Sequence, residues 1–200
     1  YFVARAGSGG ITPVKLALAG AVVTALLSAW TSTLLLLDEE TLDEARFWLA
    51  GSLVGRGTEE MRLLTPLIAV ALVGALLMGG ALNAFALGEE RAASLGQRIG
   101  TFRFFAGSIS ISLAASAVAI AGPVAFIGLA VPHIARSLVG PDYRWITVLS
   151  MLIGSSLLLG ADIVGRVVVS PRELQVGIVT ALIGAPFLIY LVRSRKLAEL

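Results

Sequence analysis

A single histidine, His133, and no cysteine leave this chain short of the side chains from which transition-metal sites are built. No carboxylate lies near His133 in the sequence, so a bare metal ion has no ligand set, and disulfides and thiolate nucleophiles are excluded. A metal that crosses here travels inside its own chelator. Lys15 and Lys196 are the only lysines and neither follows a glycine, so a G-x-x-x-x-G-K-[ST] phosphate loop cannot form. If ATP powers this protein, the nucleotide and its Mg sit on another chain, and this chain binds no cofactor of its own. A serine nucleophile would need a base on a neighbouring helix. His133 is the lone imidazole and there is no G-x-S-x-G elbow, so an intramembrane hydrolase is not expected.

The remaining polar residues suit contact and packing. Ser108, Ser112 and Ser116 recur every four residues, as do Gly20, Thr24 and Ser28. Small and hydroxylated residues on one stripe let helices approach closely in lipid. That is the reading for the serines, while for Gly20, Thr24 and Ser28 packing and a pore-lining role stand side by side. Arg166 follows Asp162 at the end of an apolar run, where arginines commonly snorkel to the interface. His133 and Arg136 share a helix face, which fits hydrogen bonding between helices or contact with a partner.

Apolar helices must position these residues. The sequence is 57% hydrophobic and 14% charged, and ordinary soluble domains carry about 25% charged residues. The surplus of apolar surface faces lipid or other apolar helices. We therefore expect an all-α, polytopic membrane bundle. A span needs about 20 apolar residues, and the uncharged runs place six, at 14–37, 62–82, 104–121, 123–138, 145–164 and 175–192. Gly122-Pro123 divides the third run, with a new helix expected to begin at Pro123 because proline suits a first turn. Gly184-Ala185-Pro186 is expected to break or kink the last span.

Orientation follows from the basic residues. Arg5, Lys15, Arg91, Arg98, Arg103, Arg136, Arg144, Arg193, Arg195 and Lys196 fall on one side of a six-span chain, and Arg46, Arg56, Arg62, Arg166 and Arg172 on the other. The richer side is cytoplasmic, which places both ends inside. Acids run the opposite way, with Asp38, Glu39 and Glu40 clustered outside. The net charge of +2 forms no stripe, so nucleic acid is not an expected partner. The chain begins at Tyr1, without an initiator Met, and reads as a piece of a longer protein.

Three stretches carry a resemblance: Leu82 to Gly96 (LNAFALGEERAASLG), Ala121 to Arg136 (AGPVAFIGLAVPHIAR), and Ala161 to Arg166 (ADIVGR) continued by Glu173 to Pro186 (ELQVGIVTALIGAP). Together they resemble the FecCD-type permeases, which import ferric siderophores, haem and cobalamin. The resemblance implies a ten-span subunit in the bacterial inner membrane, of which this chain supplies the last six spans. It also implies a second permease copy, two cytoplasmic ABC ATPase subunits and an extracytoplasmic substrate-binding protein as partners, besides the lipid bilayer. The implied cargo is an iron chelate, a ferric siderophore before haem or cobalamin.

Residues 83–100, with Gly88, Glu89, Glu90, Arg91, Ser94, Leu95 and Gly96, then match the segment that seats in a groove of the ATPase. Gly88 and Gly96 suggest two small helices there, although by charge pattern alone a solvated turn stays open. Arg166 matches an arginine that pairs with a glutamate of the binding protein. The first and last spans would border the translocation path, through Gly20, Thr24, Ser28, Gly177, Thr180 and Gly184. An ion-coupled secondary transporter is the alternative. Such carriers hold a buried carboxylate, whereas Asp162 and Glu173 sit only near the outer edge of their spans.

Overall fold

The computed structural model describes residues 13–37, 39–53, 57–168 and 174–193. Of the charges used for orientation, Arg5, Asp38, Arg56, Arg172, Glu173, Arg195, Lys196 and Glu199 lie outside the described residues. Nine helices and no strand occur among those described: α1 (Pro13–Leu35), α2 (Glu39–Leu49), α3 (Thr58–Leu77), α4 (Gly79–Ala86), α5 (Glu89–Ser94), α6 (Ile99–Ala121), α7 (Ile127–Val139), α8 (Tyr143–Val168) and α9 (Val176–Arg193). The fold is all-α, and it divides into two units, residues 1–46 and 47–200.

In the first unit, α1 opens on Pro13, whose fixed φ suits the first turn of a helix. It is about 34 Å long at 1.5 Å per residue, enough to cross the hydrocarbon core. None of its described side chains is buried, and its apolar residues extend all the way round it. A helix of that kind is covered by lipid or by other helices.

The second unit holds the packed bundle. Here α3 crosses α6 at Gly74, where a methyl group would meet Ile109 Cδ1 at 2.9 Å. Ala130, Val131 and Ala135 bury one face of α7, and Val131 meets α8 at Gly154. Ala161, Val176 and Val179 form the core between α8 and α9, with Leu53, Val124, Leu158 and Leu174 against it. These contact residues are small because close backbone approach is what holds helices together once lipid removes the hydrophobic drive.

Among the described residues three helices are long and apolar enough to cross a membrane, or four if the bent pair α3–α4 counts as one span. α7 and α9 are shorter apolar helices. Three expected boundaries are corrected. The second span does not run straight to 82: the chain bends by 48° at Met78 and continues as α4. No helix begins at Pro123. Residues 122–125 are non-helical and α7 starts only at Ile127, which leaves it 13 residues, about 20 Å, long. The last span is not broken at Gly184-Ala185-Pro186, since α9 runs through Pro186 as one helix. Proline there removes one i→i−4 bond, and the flanking turns carry the helix across.

Candidate coupling and docking sites

The stretch 83–100 folds as an elbow made by two glycines. Gly88, at φ 102°, ends α4 by donating its N–H to Phe85 O, and its own carbonyl accepts the Ala92 N–H that starts α5. Gly96, at φ 81°, closes α5 with Gly96 N–H to Ala93 O and Gln97 N–H to Ala92 O. These two bonds form a Schellman cap, which favours glycine because its φ is positive. Two small helices are therefore present, although the first begins at Gly79, before the expected boundary. Ala92 is fully buried beneath the elbow, while Glu89, Glu90, Arg91, Ser94 and Leu95 are exposed. Glu89 pairs with Arg103 of α6, and Phe85 stacks on Phe102 with ring centroids 3.8 Å apart. The elbow is thus fixed to α6 from below and presents two acids, one base and a leucine outward.

The same elbow is tied to α8. Asn83 Nδ2 donates to Asp142 Oδ1 at 2.7 Å, and Asn83 Oδ1 accepts the Tyr143 N–H at 2.8 Å. Asp142 caps α8 by accepting the Arg144 N–H at 2.9 Å, the usual work of an aspartate before a first turn. Its carboxyl is held below its ordinary value, first by the Asn83 amide and then by the Arg144 N–H. Gly79 and Gly80 lie directly on Arg144, where a methyl group on Gly79 would meet Arg144 Cγ at 2.8 Å. Nothing in the sequence joins Asn83 to Asp142. Only the position of Asp142 before a long apolar run signals a cap.

At the far end of α8, Arg166 Nε donates to Asp162 Oδ2 at 2.8 Å. The arginine side chain is 46% exposed and the aspartate 16%. Both line a cleft of about 260 Å³ shared with Ser52 and Gln175. The sequence placed Asp162 and Arg166 one turn apart, and the structure adds the cleft. Arg172 lies outside the described residues.

Beside this cleft the chain forms a knot of close backbone contacts. Gly51 O accepts the Gly177 N–H at 3.1 Å, and Ala121 O accepts the Ser52 N–H at 2.8 Å. A methyl group on Gly122 would strike Trp48 O, and one on Gly177 would strike Ala50 O. Gly122 sits at φ 71°. Phe126, at φ 70°, is a strained non-glycine residue, pressed against Gly184. Strain of this order costs about 1–3 kcal/mol and persists only where packing over-determines it.

The path residues divide between the two units. Gly20, Thr24 and Ser28 lie on an open face of α1. Gly177 lies against the backbone of Ala50 and Gly51, and Gly184 against the Phe126 side chain. Thr180 is 7% exposed and donates its hydroxyl to Gly177 O at 3.0 Å. In the serine stripe Ser116 is buried at 2% exposure while Ser108 is exposed. His133 Nε2 and Arg136 Nε are buried without hydrogen-bond partners among the described residues. Arg136 also donates to Tyr143 OH at 3.3 Å, with its guanidinium 5.4 Å from the centre of that ring, so it braces α7 on the start of α8. No group of metal ligands occurs among the described residues.

Comparison with known proteins covers nearly the whole chain. The FecCD transport family matches residues 1–194. The ferric enterobactin transport system permease protein of Escherichia coli is 45% identical over 97% of this chain and 58% of its own length. The Fe(3+)-citrate import system permease protein YfmD of Bacillus subtilis is 39% identical over 96% of this chain and 57% of its own. A solved structure described as an inward-facing conformation of a metal-chelate type ABC transporter superposes with a TM-score of 0.84 at 33% identity, covering 91% of this chain and 59% of that one. The chain thus spans a little under three-fifths of the length of the relatives it matches.

Proposed function

This chain belongs to the FecCD transport family, and from that premise we propose that it forms the C-terminal part of a permease subunit in an ATP-driven importer of an iron chelate. A ferric siderophore is the proposed cargo. The similar permeases are named for ferric enterobactin and ferric citrate. The observation that carries the reading is the glycine-bounded elbow 79–96. It is anchored to α6, partly through Glu89, and to α8 on one side and presents Glu90, Arg91 and Leu95 on the other. Such a rigid, charged projection suits the groove of a separate ATPase better than a solvated turn does. The similarity to ABC permeases also sets this reading ahead of the ion-coupled carrier.

In the proposed assembly two permease copies share two cytoplasmic ATPases, which hold ATP and Mg, and a binding protein delivers the chelate at the Arg166 end of α8. The elbow and both ends of this chain then face the cytoplasm of the inner membrane. The proposed path borders Gly20, Thr24 and Ser28 on α1. On α9, the contacts of Gly177 and Gly184 favour close packing as their main role.

The test is uptake and assembly of the full-length subunit with its own ATPase. Deletion should abolish growth on a ferric siderophore while leaving growth on unchelated iron salts. Growth that fails only on haem, or a defect only in cobalamin use, would reassign the cargo. Glu89→Lys with Glu90→Lys should reduce the ATPase recovered with the permease while membrane insertion is unchanged. Wild-type recovery would return the elbow to an ordinary turn.

A further inference from the structure

We propose that α8 is the connecting rod between the two faces of the permease, and that the hydrogen bonds of Asn83 with Asp142 and Tyr143 join it to the coupling elbow. This rests on the reading of 83–100 as the ATPase seat and of Arg166 as the docking residue. The joint is built from both sides. The Asn83 side chain reaches from α4 to the cap of α8 with one donated and one accepted bond, at 2.7 and 2.8 Å. Gly79 and Gly80 remove the Cβ atoms that would hold Arg144 away. A shift of α4 therefore carries the start of α8 with it.

The rod itself is 26 residues long and contains no proline. About 33 Å of helix rise separates Arg144 from Arg166, close to the thickness of the hydrocarbon core. Its neighbours serve less well. The chain bends at Met78 after α3, α7 has 13 residues, and α9 holds Pro186. α6 also touches the elbow, through the Phe85–Phe102 stack and an ion pair whose side chains are more than half exposed, but it ends on Ala121 without a charged group. Only α8, among the described helices, has the elbow bonded at one end and the Asp162–Arg166 pair at the other.

The experiment is the fold stimulation of ATPase activity by the substrate-loaded binding protein, measured on the full assembly in proteoliposomes. Asn83→Asp sets two carboxylates against each other and removes the donated bond. Combining it with Asp142→Asn removes the charge clash and remakes the joint in reverse, the new amide donating to residue 83. The Arg144 N–H bond is given up, because the one oxygen Asp142 Oδ1 accepts both bonds in the native chain. Asn83→Asp should lose about fivefold or more of the stimulation, the low end of a typical coupling between sites. The swapped pair should regain part of it. Wild-type stimulation in Asn83→Asp overturns the proposal, as does a swapped pair no better than the single variant. Asp142→Ala, which removes the acceptor without adding a charge, gives an independent second reading and should also lose stimulation. ATPase recovered with the permease is scored in parallel. Its loss in the Glu89, Glu90 variant reads the seat, whereas stimulation at full recovery reads the rod, so the two failures are distinguishable.

Discussion

Removing the charge of Arg166 should weaken docking of the binding protein far more than it weakens the fold. The intramolecular pair with Asp162 is an i,i+4 contact in which the arginine is 46% exposed. Pairs of that kind contribute about 0.3–0.5 kcal/mol to a helix, and solvent screening lowers this further. Loss of the Asp162 pair should therefore change the stability by no more than the error of a thermal melt. A partner carboxylate meeting the same guanidinium over the cleft is a different case, because the contact becomes desolvated on docking. Truncating one member of such a pair costs about 2–5 kcal/mol, and the lower figure is already a weakening of about 30-fold. The assay is the affinity of the loaded binding protein for the reconstituted assembly at two salt concentrations, alongside chelate uptake. Affinity should fall by about this factor in Arg166→Ala, and further in Arg166→Glu, which also faces Asp162. An acid-to-arginine change on the binding protein should restore part of the loss in Arg166→Glu. Wild-type affinity and uptake at normal expression would refute the reasoning. A fall in expression with no rescue by any partner change would leave Arg166 as an interfacial anchor.

Gly122→Ala should destabilise by about 2–5 kcal/mol, the sum of a left-handed backbone and an overpacked contact with Trp48 O; Gly107→Ala, which meets open space, is the control and should be neutral or mildly stabilising in the same thermal melt. The Asp142 carboxyl is held low by Asn83 and Arg144, so its contribution to stability is complete above the unfolded value near 3.9 and is lost as pH falls through the lower folded value. Melting of the purified protein from pH 6 to pH 3 should show a steeper loss below about pH 4 in wild type than in Asp142→Asn, and equal slopes would remove the cap from the account. A cysteine at Ser94 should react only with reagent admitted to the cytoplasm, and one at Asp43 from outside; labelling of Ser94 in intact cells reverses the orientation.

By itself the sequence determined the class of the protein, because hydropathy and the scarcity of charge act residue by residue and need no partner. It also marked where the elbow turns, since Gly88 and Gly96 can enter positive φ at no steric cost, while the helices between them and their anchors came from the structure. The meeting of Asp162 with Arg166 was legible too, because one helical turn brings them together. Local rules failed where two distant segments compete for the same space. Pro123 suits a first turn, yet residues 122–125 stay non-helical, with Gly122 packed on Trp48 O and Pro123 O over Gly51. Gly184-Ala185-Pro186 reads as a break or a kink, and α9 continues through it without a break, with Gly184 close-packed under Phe126. The bond between Asn83 and Asp142, 59 positions apart, was decided only by the bend at Met78, which lays Gly79 and Gly80 on Arg144. Patterns within one helix depend on spacing along a single axis, whereas contacts between helices depend on which small residues let two backbones approach, and that becomes definite only when both are in place.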